Sequence, residues 1–362
     1  MGKVSLLGIC IFIILFSSVA ADAISIENLK KFDVPEKDFW DPVLSPDGTK
    51  IAYVAYDEAY LQQIFAINPD GTGEKKLTSD AFKKWGLSWG TDKIAYVSLG
   101  KDGLEKIYVM NPDGTENRQL ILDNTRQGSS AWSAPSWSPD GRLLIYTSRD
   151  EKEDPKLYMV NSDGTGKKLV LEGAFRQWSP SFSPDGKNIV YVSYNERYKE
   201  ELFITDISGN SRRQLTFDEI KKNNPVWGPD GTITYVSYET ITSSGEKIFS
   251  INQDGTGRKL FVDSDFKQLS PSFSLDGRKF SYAAIDLTGM VKLGVGDVAG
   301  AVSASPSPTP ETTMTQPAHT TPVVEKEPAG TGDVLWTMFI ILAVVVAALL
   351  IILVIADFMG KK

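Results

Sequence analysis

Few side chains in this 362-residue sequence have the type and spacing to do chemistry, and most of those fall where they cannot act together. The single histidine, His319, lies in the stretch PAHTTPVV, and the single cysteine, Cys10, lies in an apolar leader. Serine or cysteine nucleophiles activated by imidazole, histidine metal sites, thiolate chemistry and disulfides therefore have nothing to run on. Carboxylates remain. Glycoside hydrolysis needs two of them about 5 to 10 Å apart, a spacing that chance supplies readily among 46 acidic residues. Residues 161–172, NSDGTGKKLVLE, superficially fit a calcium loop through Asp163, Thr165, Gly166 and Glu172. The first position is Asn and the flanks read as strands instead of helices, so the segment is read as a hairpin turn.

Cations make the last group. Six residues before the recurring positions Leu44, Trp89, Trp137, Phe182, Trp227 and Phe273 stand Asp38, Lys83, Ala131, Arg176, Lys221 and Lys267, of which four are basic. Phe82, Phe175, Ile220 and Phe266 precede those four. Arranged in a circle, Lys83, Arg176, Lys221 and Lys267 would form a mouth for an anionic group, such as a carboxylate on a peptide or an acidic glycan. The alternative is that each cation pairs with a nearby loop acid, such as Asp80, Asp218 or Asp265, and serves only to keep the loop solvated.

Whether a circle exists depends on the elements that carry these residues. LSPDGTKIAYVAY begins at Leu44, WSPDGRLLIYTSR at Trp137 and FSPDGKNIVYVSY at Phe182. Aligned on their aspartates, the copies fall at Asp47, Asp92, Asp140, Asp185, Asp230 and Asp276, with gaps of 45, 48, 45, 45 and 46 residues. NPDGTG-type phrases at Asn68, Asn111, Asn161 and Asn252 track the same period, with Gly209 and Gly300 in the degenerate copies. In SPDG, Pro presets the second turn position and Gly takes the one with positive φ, so the phrase makes a tight hairpin and its Asp is a turn former. The following segment, such as KNIVYVSY, is β-branched and aromatic on both faces, as a strand sandwiched between sheets must be. ELFITDI, KLYMVNS and KIFSINQ supply a third strand, and RRQLT or KKLVL a short fourth.

Four strands per repeat and six repeats predict a six-bladed β-propeller; a solenoid is the alternative. The last copy stops at Gly300 without a fourth strand, while residues 23–32, AISIENLKKF, are spare before the first copy. A ring in which the N-terminal segment completes the sixth blade explains both and leaves no open edge. The SPDG and DGTG turns would then share one side, the turn face. The variable segments YDEAYLQQ, RDEKEDPK, YNERYKEE and YETITSSGEK would share the other, the loop face, where binding is usually placed.

The phrases PSFSPDGKNIVYVSY and LFITDISGNSRRQLT, with their sister copies, resemble the repeats of TolB-type six-bladed β-propellers over residues 24–300. The second copy departs by reading LSWGTDKIAYV and the sixth by reading SLDG, yet both keep the Asp and the strand. Full TolB proteins add a small α/β domain and live free in the periplasm, so their role is not carried over. SIENLKKFDVPEKDFWDPVLSPDGTKIAYV also resembles the start of the propeller cap of prolyl-oligopeptidase-type peptidases, here without a peptidase.

The two ends read differently. Residues 1–21 have a Lys3 n-region, an apolar stretch and small residues near Ala21, which together make a secretory signal peptide. The alternative, a retained N-terminal anchor, is short of the ~20 residues that a span needs. Residues 301–334 are a Pro/Thr/Ser-rich disordered stalk whose hydroxyls suit O-linked sugar. Residues 335–356 run uncharged for long enough to cross a membrane as a single helix, and Lys361 and Lys362 put the short tail 357–362 in the cytoplasm. With a net charge of -8, nucleic acid is not a partner. The expectation is therefore an all-β, six-bladed β-propeller on a single C-terminal transmembrane helix, displayed outside the cell membrane or in the periplasm. It acts without catalytic residues, cofactor or metal as a binding or scaffold module for a protein, peptide or glycan of the cell envelope. The alternative function is a carboxylate-based carbohydrate-active enzyme on the cell surface.

Overall fold

In the computed structural model the described residues are 24–300, apart from 35–37, 129–132, 151, 174, 241–244 and 264–265. The expected signal peptide, stalk, membrane-spanning segment 335–356 and tail fall outside them, and the described residues hold no helix long and apolar enough to cross a membrane.

Each repeat folds into one antiparallel four-stranded sheet, and there are six such sheets. In the first blade the innermost strand is Phe39–Leu44, followed outward by Ile51–Tyr56, Gln62–Ile67 and Lys75–Lys76. The inner hairpin is locked by its own side chains. Ser45 donates its hydroxyl to Asp47 at 2.7 Å, Lys50 N–H donates to Ser45 Oγ at 2.9 Å, and Gly48 takes φ 67°. The same Ser to Asp bond recurs at Ser138, Ser183 and Ser274, so these aspartates shape turns. At residues 161–166 the calcium-like segment is likewise a hairpin turn, with Gly164 N–H donating to Asn161 O and Thr165 N–H to Asp163.

Second strands carry the packing. Ile51, Ala52, Tyr53, Val54 and Ala55 are all inaccessible to solvent, because both faces of the sheet lie against other blades. The apolar clusters accordingly sit between blades: Val54, Ile64 and Leu87 join the first to the second, and Phe203 packs with Ile145 and Leu157 at the third and fourth. A fully buried Ile or Phe of this kind stabilises by about 1.5–3 kcal/mol, so no sheet is stable without its neighbours.

The ring closes as the spare N-terminal segment suggests. Ser25–Asp33 is the outermost strand of the sixth sheet and pairs antiparallel with Val291–Ala299, from Ser25 opposite Ala299 to Asp33 opposite Lys292. Phe39, Leu44 and Tyr53 share a core with Ala283, Leu293 and Val295, and Asp276 N–H donates to Pro46 O at 3.0 Å. First and last blades are thus joined by both packing and hydrogen bonds.

Candidate functional site

The inner strands define the channel. Five of them bulge at one equivalent place, where Asp41, Gly86, Ser179, Asn224 and Ser270 take φ between 47° and 61°. Four of those residues precede a proline, Pro42, Pro180, Pro225 or Pro271. Proline lacks the N–H that a free inner edge would otherwise present, and pre-proline residues resist helical backbone, so the bulge is specified by sequence. Together these segments line a cavity of about 210 Å³ that includes Asp41, Trp89, Trp137, Ser179, Asn224 and Ser270.

Asp41 is the one carboxylate in that wall. Its Oδ2 accepts from Gly86 N–H of the second blade at 2.7 Å and its Oδ1 from the Ser270 hydroxyl of the sixth at 3.3 Å. Burial pushes its pKa up to about 6, against the pull of those two donors.

On the loop face, four loops between second and third strands share one turn. An Asp or Asn (Asp57, Asp150, Asn195, Asp286) accepts from backbone N–H groups ahead of it, and a residue with positive φ ends the turn. That last residue is Gly289 in the sixth blade, Glu153 (φ 62°) in the third, Tyr60 (φ 57°) in the first and Tyr198 (φ 58°) in the fourth. Both tyrosines are held in a backbone region that favours glycine, and they are 86% and 74% exposed. Phe175 packs edge-on against Tyr198 at 5.8 Å, and Phe217 beside it is 74% exposed.

The four expected cations all stand on this face, at or just before the start of an inner strand. Lys83 and Lys221 are exposed and form no ion pair with a described residue. Arg176 pairs with Asp154 at 3.4 Å and Lys267 with Glu246 at 2.7 Å. Those acids open the third strand of the preceding blade, so the partners are not the exit acids Asp80 and Asp218 that the sequence suggests; Asp265 lies outside the described residues. In the third blade the matching residue is Arg126, not Ala131, which also lies outside them. Arg126 O accepts from Arg149 N–H as Lys83 O does from Leu99 N–H, and its guanidinium meets Glu105 at 3.4 Å.

Next to these cations lies a layer that sequence reasoning missed. Lys84, Gln127, Gln177, Lys222 and Gln268 follow Lys83, Arg126, Arg176, Lys221 and Lys267, and all five are buried. Lys84 Nζ donates to Asp80 at 2.6 Å, and burial pulls its pKa down while Asp80 pulls it up. Gln127 Nε2 donates to Asp123 at 2.8 Å. Lys222 pairs with Glu201 at 2.8 Å, both wholly buried, and with Asp218. Asp80, Asp123 and Asp218 follow the outer strands of the first, second and fourth blades in the same way, and Gly173 holds their place where the third blade leads into the fourth. The readable signal was the repeated dipeptide: Lys-Lys at 83–84 and 221–222, Arg-Gln at 126–127 and 176–177, Lys-Gln at 267–268. Among the described residues no group of three or more His, Cys, Asp or Glu could hold a metal ion.

Against known proteins, the description "TolB beta propeller domain" fits residues 28–234 and, in a second overlapping match, 149–283. Among solved structures, TolB from Acinetobacter baumannii superposes with a TM-score of 0.53 at 19% identity, covering 71% of this chain and 66% of that one. This chain therefore spans just under two thirds of that protein's length. A putative TolB from Agrobacterium tumefaciens gives 0.54 at 16% identity, covering 74% and 97% of the two chains. An oligogalacturonate lyase from Vibrio parahaemolyticus gives 0.50 at 10% identity, covering 76% and 98%. At these identities the likeness is one of fold. No curated protein matches the chain.

Proposed function

The chain belongs to the TolB β-propeller family, and from that premise we propose that it is a non-enzymatic binding or scaffold module of the cell surface. The observation that carries this reading is the loop face. A closed ring holds it rigid, yet it presents Tyr60 and Tyr198 in a strained, solvated conformation where the sixth blade uses glycine. The turn sets this backbone whatever the side chain, yet two of its copies spend the position on a large exposed aromatic, the kind of side chain that binding surfaces use. Secretion by residues 1–21, the 301–334 stalk and the 335–356 span belong to the same proposal. They would hold the propeller outside the membrane, facing a protein, peptide or glycan of the envelope. Lys83, Arg176, Lys221 and Lys267 contribute the positive rim.

The test uses the full chain as bait against extract of its own envelope, beside a variant with those four cations reversed in charge. A partner kept by the parent and lost by the folded variant supports the module and maps its face. Equal capture by both discards the cationic rim, and no capture at all discards the module.

Asp41 favours one second reading, a carbohydrate-active enzyme, because a buried carboxyl poised near neutrality in a cavity is the form a general acid takes; its partner carboxylate would have to come from outside the wall of that cavity. Glycan turnover that disappears in Asp41→Asn would establish it. Absence of turnover in the parent would remove it.

A further inference from the structure

Three junctions between blades repeat one arrangement, and one of the three departs from it and leaves positive charge uncovered. At or just before the outer strands of the third, fourth and fifth blades a cation lies over a third-strand aromatic. Lys167 sits over Tyr158 at 4.9 Å, Arg258 over Phe249 at 3.9 Å and Arg212 over Phe203 at 4.4 Å. Two of these cations are neutralised by the exit acid of the preceding blade: Lys167 by Asp123 at 2.5 Å and Arg258 by Asp218 at 3.7 Å. For Arg212 that position is Gly173.

What the aspartate would have touched is still there. A Cβ on Gly173 would meet only two atoms within 4 Å, Gln177 Nε2 at 3.8 Å and Arg212 Nη1 at 4.0 Å. Gln127, the counterpart of Gln177, donates Nε2 to the Asp123 carboxylate. Gln177 is 2% exposed, and its amide oxygen accepts from Leu157 N–H, yet its Nε2 donates to no described residue. Beneath it, buried Lys156 places its ammonium on the carbonyls of Gly173 and Phe175 at 2.7 and 2.9 Å and forms no ion pair with a described residue. Glu172, next in the chain, forms no ion pair with a described residue. One buried amide donor and two cations thus converge where the sister junctions hold a carboxylate.

Arg212 and Phe175 also line a cavity of about 450 Å³ together with Phe203, Phe217, Asn195 and Gln214. Glu219 in its wall is engaged by Arg197 at 3.0 Å. Aromatic faces stack on the C–H faces of a sugar ring, while Asn195 Nδ2 and Gln214 Oε1, the halves of these amides that their own backbone bonds leave over, can serve hydroxyls, a mixture that an apolar peptide anchor would not need. We propose that the cleft on the fourth blade, beside its junction with the third, binds a uronic-acid residue of an acidic glycan, whose carboxylate meets Arg212 on the side where Gly173 leaves the aspartate position open. This rests on the binding reading above and names the ligand class for part of the same face.

The test is calorimetric titration of the full chain with a galacturonic acid trimer, beside the neutral galactose trimer and N-acetylglutamate. Measurable binding of the acidic trimer and little of the other two is expected. Arg212→Gln should weaken it at least about 10-fold, as the loss of a charge-assisted hydrogen bond does. Arg258→Gln, at the neutralised sister junction, should leave it unchanged. No binding by the parent, or equal binding by Arg212→Gln, overturns the site. Equal affinity for the neutral trimer or for N-acetylglutamate overturns the assignment to a uronic acid. If the site fails while the chain still captures an envelope partner, the binding module stands without it.

Discussion

Blades four and five meet on the loop face through Glu201, Lys222, Asp218 and Arg258, and blades three and four meet at the same place through Gln177, Gly173 and Arg212. The strands are equivalent, but at the exit position Gly173 takes φ 151° where Asp218 does not, and the chemistry is opposite. At the first junction every charge is answered: Glu201 accepts from Lys222, from Thr216 at 2.5 Å and from Glu219 N–H at 2.8 Å, and Arg258 also reaches Tyr235 and Tyr238 O. At the second, a buried amide and an arginine face a gap. The difference teaches that the fold needs its apolar interfaces between blades but not this polar layer. A junction can therefore be left open without opening the ring.

Substitution of the buried residue at each junction sharpens that contrast most. Lys222→Met strands the Glu201 carboxylate in a dry site and is expected to cost about 3–5 kcal/mol. Gln177→Met removes only an acceptor from Leu157 N–H and should cost about 1–2 kcal/mol. Denaturant unfolding of the two variants measures both, and equal losses would break the comparison.

Asp41 offers a third way of joining blades, a buried carboxyl answered by hydrogen bonds without a cation. Its folded pKa of about 6 lies above the ordinary 3.8, so the folded state holds a proton that the unfolded chain has released. Stability should therefore fall as pH rises from about 4 to about 6, by about 3 kcal/mol, and level off above that. Asp41→Asn keeps an oxygen for Gly86 N–H and should flatten the slope in melts across that range. An unchanged slope would place its origin elsewhere.

Much of this architecture was legible because its determinants are local. Ser45, Asp47 and Gly48 fix their hairpin within four residues, and the same phrase repeated at a steady period specifies the blade. The closing strand was legible from a surplus at one end and a deficit at the other. The cationic position in the third blade was not, because extra residues between Gln127 and Pro135 shift the count and point to Ala131 in place of Arg126. The open junction was hidden for a different reason. Gly173 looks like an ordinary loop glycine until the ring brings Arg212, 39 positions further on in the chain, to the place its side chain would have filled.

The smallest effect separates the two junctions most cleanly. Arg258 is partly buried over Phe249 and touches Asp218, Tyr235 and Tyr238, so Arg258→Gln should lower stability by about 1 kcal/mol. Arg212 stacks on Phe203 and beside Tyr191, whose hydroxyl burial pushes up to about 12 against the pull of the guanidinium, but it answers no carboxylate. Removing it relieves the repulsion with buried Lys156 as well as losing the stack, so Arg212→Gln should change stability by less than about 0.5 kcal/mol. A residue that costs nothing to remove from the fold, yet is kept charged over an aromatic ring beside an unfilled acid position, is there for something outside the fold. A loss at Arg212 as large as that at Arg258 would instead give it a structural role and close the comparison.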